Sequence, residues 1–241
     1  MPRLFIPPEE IQGRIGLKPR DVRYLVRVLR LEEGDEVVVF DGRGQRYRCR
    51  LLEEGGRWSL EVSEELPPEP EPPLRVVLGQ GLLKGEKMKW VIQKSTELGV
   101  WRIVPLITTR SIPIYEEGEV GLKVMRWRRI AEEASKQSNR ASVPHIEGPV
   151  VLEEFDLQAP GLKVALWEGA TTPLREVLPR GEPPEEISVV IGPEGGLSEP
   201  EAVMLEQEGF SLCSLGPRVL RSETATLAAL ALLQHLFGDL G

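Results

Sequence analysis

Two stretches in the C-terminal half place glycines and charged side chains where a polypeptide can hold a small ligand. The first is Ile191-Gly192-Pro193-Glu194-Gly195-Gly196-Leu197-Ser198-Glu199-Pro200-Glu201, and the second is Leu215-Gly216-Pro217-Arg218-Val219-Leu220-Arg221-Ser222-Glu223-Thr224-Ala225. In each, an apolar run ends, a Gly/Pro turn follows and a helical pattern begins. That order exposes backbone N–H groups at the carboxyl end of a strand, where open α/β sheets bind ligands. Neither loop reads Gly-x-Gly-x-x-Gly or Gly-x-x-x-x-Gly-Lys-Ser/Thr, so a nucleotide-like ligand would be held in another way. A purely structural turn is the other reading of an isolated glycine loop, and the second loop downstream weighs against it.

The elements that must position these loops follow from periodicity. Residues 187–191 read as a short buried strand, and Ser198 with Glu201 has the Ser-x-x-Glu spacing of a capping box, so a helix begins at Ser198. Further strands are expected at 75–79, 103–107, 163–167 and 211–215. Helices are expected at 86–98, burying Met88, Val91, Ile92 and Leu98, at 122–138, and near 173–178. This alternation predicts a parallel sheet covered on both faces. Arg126, Arg128 and Arg129 fall near the expected start of the 122–138 helix, where cations oppose the dipole and point to a role beyond stability. The final helix, 225–237, is apolar almost all round and needs cover on every side. A second subunit, or the first helix of the same chain, supplies it.

Upstream the pattern differs. Residues 20–30 read as a helix with Arg20, Arg23, Arg27 and Arg30 on one face and Val22, Leu25, Val26 and Leu29 on the other. Four arginines in one stripe fit a solvated face or contact with RNA phosphates. Strands at 35–42, 45–52 (Arg46, Arg48 and Arg50 on one side) and 58–62 make a small β-rich, barrel-like module. The proline-rich acidic stretch 68–73 ends it as an extended linker. The expected organisation is a domain over 1–67, the linker, and a larger α/β domain over 74–241.

Composition bounds the function. The 241 residues carry a net charge of −8, unevenly distributed. Residues 1–50 are net +3 and 74–149 net +5, whereas 51–73 are net −6 and 150–241 net −10. A polyanion would meet the basic segments, not the acidic segment containing the glycine loops. The two cysteines are far apart, and the two histidines have no neighbours at ligand spacing, so no metal site is expected. There is no membrane-length apolar run and no signal-peptide pattern, which fits a reduced cytoplasmic protein.

Together, Gly192-Pro193-Glu194-Gly195-Gly196 and Leu215-Gly216-x-x-x-Leu220-Arg221-x-Glu223-Thr224-Ala225 resemble the SPOUT class of RNA methyltransferases. Within it the chain is similar to the ribosomal RNA small-subunit methyltransferase E family. Lys84-Gly85-Glu86-Lys87-Met88-Lys89-Trp90, Thr109-Arg110-Ser111, Glu133-Ala134-Ser135-Lys136-Gln137-Ser138-Asn139-Arg140 and Val26-Arg27-Val28-Leu29-Arg30 carry the same resemblance. Arg23-Tyr24 departs from the histidine many relatives have there, Asn139 from a glycine, and Ser222 from a common threonine.

The resemblance implies a PUA-like N-terminal domain, a parallel-sheet SPOUT domain with a C-terminal trefoil knot, and a homodimer formed through that domain. It implies transfer of a methyl group from S-adenosylmethionine to N3 of one uridine in 16S ribosomal RNA, free or in the small subunit; another base, ribose methylation, or a non-catalytic assembly factor are the alternatives. The donor pocket would be formed by Leu166 and Trp167, by Ile191, Gly192, Pro193, Glu194, Gly195 and Gly196, and by Leu215, Gly216, Val219, Leu220, Arg221, Thr224 and Ala225. Uridine N3 becomes nucleophilic only as its proton leaves, which calls for a cation near O2 and O4 and a proton acceptor. Arg221, Arg110 and Arg140 are the candidate cations; Glu194 and Glu223 are the candidate acceptors. Arg3, Arg20, Arg23, Arg27, Arg30, Lys84, Arg110, Arg126 and Arg128 are the candidate RNA contacts.

Overall fold

A computed structural model describes residues 1–112, 117–155 and 160–241. The chain divides into two compact units, one of Met1–Glu71 with Glu132–Val143 and the other of Pro72–Ala131 with Pro144–Gly241.

In the first unit, β1 (Arg3–Phe5), β2 (Arg14–Gly16), β3 (Glu36–Phe40), β4 (Arg46–Glu54) and β5 (Arg57–Leu66) form a mixed sheet in the order β1-β3-β4-β5-β2. Only the β1–β3 pair is parallel. Alternation along β4 turns Cys49 and Leu51 into a core with Leu4, Ile15, Leu25, Val37, Val39 and Leu60, while Arg46, Arg48 and Arg50 face outward as expected. Burial pushes the Cys49 thiol up to about 12, so it stays protonated and inert.

The 20–30 region departs from its expected geometry. Helix α1 (Pro19–Val22) runs into a π-helical turn, Arg23–Val28, which takes more residues per turn and so narrows the angular step between residues. Leu25 is fully buried, but Leu29 is 37% and Val28 63% exposed, so Leu29 leaves the buried face assigned to it. The arginines remain exposed. Asn139 sits at φ 62°, in the left-handed region that asparagine adopts more readily than other residues with a side chain.

The acidic proline stretch is tied down. Glu69 takes Arg3 at 3.1 Å and Arg46 at 2.6 Å, and Glu71 takes Arg140 at 2.7 Å. Arg3 also donates to the Arg140 carbonyl.

The second unit is built on β6 (Arg75–Gly81), β7 (Arg102–Ile107), β8 (His145–Ile146), β9 (Val150–Val151), β10 (Leu162–Leu166), β11 (Glu186–Ile191) and β12 (Ser211–Cys213). Their order is β12-β10-β11-β6-β7-β8, with β9 also on β7, and every pairing is parallel. The helices are α2 (Glu86–Glu97), α3 (Glu117–Gln137, from Glu132 on part of the first unit), α4 (Leu174–Val177), α5 (Glu199–Gln207) and α6 (Ser222–Phe237). Val77, Val104, Ala165 and Val190 meet Leu197, Leu205 and Phe210 in one apolar core, in keeping with strands buried on both faces. Met88, Val91 and Ile92 of α2 are buried as expected, whereas Leu98 is half-buried.

Helix α3 begins earlier than its apolar periodicity indicates. Arg126, Arg128 and Arg129 therefore lie in its middle turns, and the dipole conflict expected of them does not arise. Ser198 caps α5 with both halves of the capping box made: Ser198 Oγ accepts from the Glu201 amide, and the Ser198 amide donates to Glu201 Oε2 at 2.7 Å.

One buried polar network joins three elements. Gln80, with no exposure, donates from Nε2 to Ser222 Oγ (3.0 Å) and to the Gly81 carbonyl (3.1 Å), and accepts at Oε1 from Thr226 Oγ1 (2.6 Å). Ser222 Oγ in turn donates to the Gly192 carbonyl at 2.6 Å. Every donor of the Gln80 amide is used, which is the condition for a buried network to rigidify its surroundings. Gln80→Leu strands these partners in the core and is expected to cost about 2–3 kcal/mol, lowering the melting temperature by roughly 5–10 °C in calorimetry.

Candidate functional site

Strand order brings the carboxyl ends of β10, β11 and β12 side by side, and the loops leaving them enclose a cavity of about 540 Å³. Leu166 and Trp167 line it from β10 and its loop, Ile191, Gly192, Pro193, Glu194 and Gly196 from the first glycine loop, and Leu215, Gly216, Val219, Leu220 and Ala225 from the second. Gly195, Arg221 and Thr224, named with them from the sequence, are not lining residues. Glu168, Ser214, Arg218 and Ser222 line the cavity without having been singled out as pocket residues.

The cavity exists because backbones touch. A Cβ on Gly81 would stand 2.7 Å from the Gly192 carbonyl carbon and closer still to Pro193. One on Gly192 would lie 2.7 Å from Gly196 C and Leu197 N. The carboxylate of Glu168 faces the Gly196 Cα from the loop after β10.

Arg110 braces the first loop: its Nη1 donates to the Gly195 carbonyl at 2.7 Å and stands 3.8 Å from Glu168. Its neighbour Thr109 donates its amide to Glu201 Oε1 at 2.7 Å. Burial alone would raise the Glu201 carboxyl, but the amides of Thr109 and Ser198 and the Ser198 hydroxyl outweigh it and hold the group below the usual carboxylate range.

Lys87 stands between the two candidate acceptors, 3.2 Å from Glu194 and 3.5 Å from Glu223. Desolvation raises Glu194, yet its own amide, the Lys84 amide and Lys87 together hold it below the usual range, making it a weak base. Glu223 lies in the first turn of α6, and its Oε2 is buried with no hydrogen-bond partner among the described residues. Arg221 is the N-cap residue of α6; its exposed guanidinium makes no ion pair among the described residues.

The other candidates separate. Arg140 has a side chain only 10% exposed and is held by Glu71, so a free catalytic guanidinium is not what this chain presents. Arg3, equally enclosed, is committed to Glu69 and the Arg140 carbonyl and drops out as a phosphate contact. Arg128 donates to the Ile146 carbonyl, while Arg126, Arg23, Arg27 and Arg30 are exposed; Arg20 leans on Asp21 at 3.3 Å. Lys84 is exposed, and its amide donates to Glu194.

Known proteins share this arrangement. A family model for an RNA methyltransferase domain matches residues 70–234, and one for an RNA methyltransferase PUA domain matches residues 17–64. The parallel sheet with its loop cavity and the small mixed-sheet module thus define an RNA methyltransferase with a PUA domain, as the resemblance implied.

Ribosomal RNA small subunit methyltransferase E of Bacillus subtilis is 32% identical over 226 residues, covering 89% of this chain and 87% of the relative. The Synechocystis protein of the same name is 34% identical over 241 residues, covering 97% and 77%. The crystal structure of the Neisseria gonorrhoeae protein of that name, bound to S-adenosyl methionine, matches with a TM-score of 0.88 at 33% identity over 100% of both chains. The chain belongs to the ribosomal RNA small subunit methyltransferase E family and is an rRNA methyltransferase.

Proposed function

We propose that this chain transfers the methyl group of S-adenosylmethionine to N3 of one uridine in 16S ribosomal RNA. The cavity formed by all three loops carries this reading. Its volume is that of a small-ligand site, and its glycines let backbone as well as side chains face the ligand. The acidic setting suits a cationic sulfonium, for which Glu168 and Glu194 supply carboxylates at the lining. When bound, the donor supplies an activated methyl group for in-line displacement.

The chain's own part is to bind, align and manage a proton. As the uridine N3–H proton leaves, charge builds on O2 and O4, and Arg221 stands ready to stabilise it. Glu223 shares Lys87 with Glu194 but keeps one oxygen without a hydrogen-bond partner among the described residues, and it is the better acceptor because Glu194 is also held by two amides. The N3–C bond forms as the S–C bond breaks, and the pair of electrons stays on sulfur.

The working unit in this reading is a cytoplasmic homodimer with a trefoil knot behind the cavity. Leu232, Leu236 and Leu240, 45%, 52% and 42% exposed on and just beyond α6, supply an apolar face that a second copy would cover. Among the described residues no helix is long and apolar enough to cross a membrane. The organisation in this reading is an RNA-binding domain over 1–67, a linker and a catalytic domain over 74–241, apart from Glu132–Val143, which belongs to the first unit.

Titration calorimetry with S-adenosylmethionine separates this reading from an assembly factor that kept only the fold: saturable binding, one donor per cavity, supports it, and no heat opposes it. For the RNA surface, reversing Arg23 and Arg27 to glutamate is expected to weaken RNA binding and flatten its dependence on salt by about two in slope. Donor binding should not change. An unaltered slope would leave these arginines as a solvated face.

A further inference from the structure

A second cavity lies wholly within the first unit. It measures about 860 Å³ and is bounded by β2, β5 and the turn of α1 into its π-helical extension. Arg14, Arg23, Arg27, Glu54, Arg57 and Trp58 line it. Arg14 and Glu54 neutralise each other at 2.9 Å. Arg23, Arg27 and Arg57 have no carboxylate partner among the described residues, so the cavity keeps three uncompensated guanidinium groups. Its one aromatic wall is Trp58, half-buried: part of the indole packs on the apolar core of the unit, and the rest borders the cavity.

Free guanidinium groups around an aromatic face are the parts of a site for single-stranded nucleic acid. Cations hold the backbone, and the aromatic surface takes a base of any identity. A duplex would satisfy the arginines but keep its bases stacked on each other, leaving Trp58 unused. An acidic peptide would also satisfy the arginines, with the same indifference to the indole.

We propose that this cavity captures one unpaired nucleotide of single-stranded RNA, its base against the Trp58 indole and its flanking phosphates on Arg23, Arg27 and Arg57. The inference rests on the RNA-methylating reading above and adds an anchoring site whose residues are all distinct from those of the donor cavity. It selects unpaired RNA near the target before chemistry occurs, and so acts on substrate capture rather than on the methyl-transfer step.

The test is fluorescence anisotropy of the full chain with a short labelled oligouridine and with an RNA duplex of equal length, over a series of salt concentrations. Arg57→Glu should weaken the single strand by about tenfold and reduce the salt slope by about one. Trp58→Leu, which keeps apolar contact with the core but removes the π-face, should weaken the single strand by about tenfold or more, leave the salt slope unchanged and spare the duplex. Trp58→Phe should restore most of the loss. Equal losses on single strand and duplex, or displacement of the RNA by polyglutamate equally from wild type and Trp58→Leu, would reduce the cavity to an anion site and overturn the proposal; so would wild-type affinity in Trp58→Leu. Methyl transfer to ribosomal RNA is measured alongside. A raised KM with unchanged kcat in Trp58→Leu agrees with capture, whereas unchanged kinetics sink capture and leave the methylation reading standing. Trp58-dependent RNA binding by a wild-type chain that transfers no methyl group sinks the methylation reading instead.

Discussion

Gly81→Ala is expected to abolish binding of S-adenosylmethionine, lowering affinity at least about a hundredfold and taking methyl transfer below detection. The new Cβ would collide with the Gly192 carbonyl carbon and Pro193, both backbone or ring atoms that cannot rotate away. Relief requires moving the first glycine loop, and that loop is held on its other side by Ser222 and Arg110. A shift of about an ångström in positioning groups is enough to cost orders of magnitude in rate. Gly192→Ala should act alike, because its Cβ meets Gly196 and Leu197 backbone within the same turn. Gly121→Ala is the contrast: it lies in α3 with nothing within 4 Å of the added carbon, so it should bind the donor normally and gain about 0.5–1 kcal/mol of stability. Calorimetry with thermal melts on the three variants decides the matter, and normal donor binding by Gly81→Ala would contradict the placement of the donor.

Arg221→Ala is expected to lower the single-turnover rate by about 10²–10³-fold while donor affinity changes less than about threefold. A preorganised donor aimed at developing charge contributes on that scale when removed. The guanidinium is suited to this because it is exposed, makes no ion pair among the described residues, and stands at the head of α6 between the lining residues Leu220 and Ser222. Arg221→Lys should recover only part of the loss, since an ammonium lacks the planar fork that can address two oxygens. Rapid-quench measurement under donor and RNA saturation tests this. An unchanged rate would return Arg221 to a loop brace.

Much of the second unit was legible because its determinants are local. Ser198 and Glu201 encode a helix start within four residues, and the structure makes both hydrogen bonds. The glycine loops were legible as loops, but their meeting depends on β10 lying between β11 and β12, which no local spacing states. Gln80 went unnoticed because the strand reading stopped at Gly79, although a polar residue between two glycines at the end of a buried strand was the available signal. Its partner Ser222 is 142 positions away. Arg3 and Arg140 looked like free cations for the same reason: their carboxylates lie 66 and 69 positions away, in the acidic proline stretch. The arginine stripe was read on an α-helical wheel that the π-helical turn invalidates, which is why Leu29 surfaced while Leu25 did not.

The central claim is that this chain methylates N3 of a uridine in small-subunit ribosomal RNA. Nucleoside mass spectrometry of 16S ribosomal RNA, from cells with and without the gene, tests it most directly. The account predicts 3-methyluridine at one position in the first sample, its loss in the second, and its return when purified protein and S-adenosylmethionine are added to the deficient subunits. A methyl group that disappears instead from another base or from ribose, or an unchanged nucleoside profile, would contradict it.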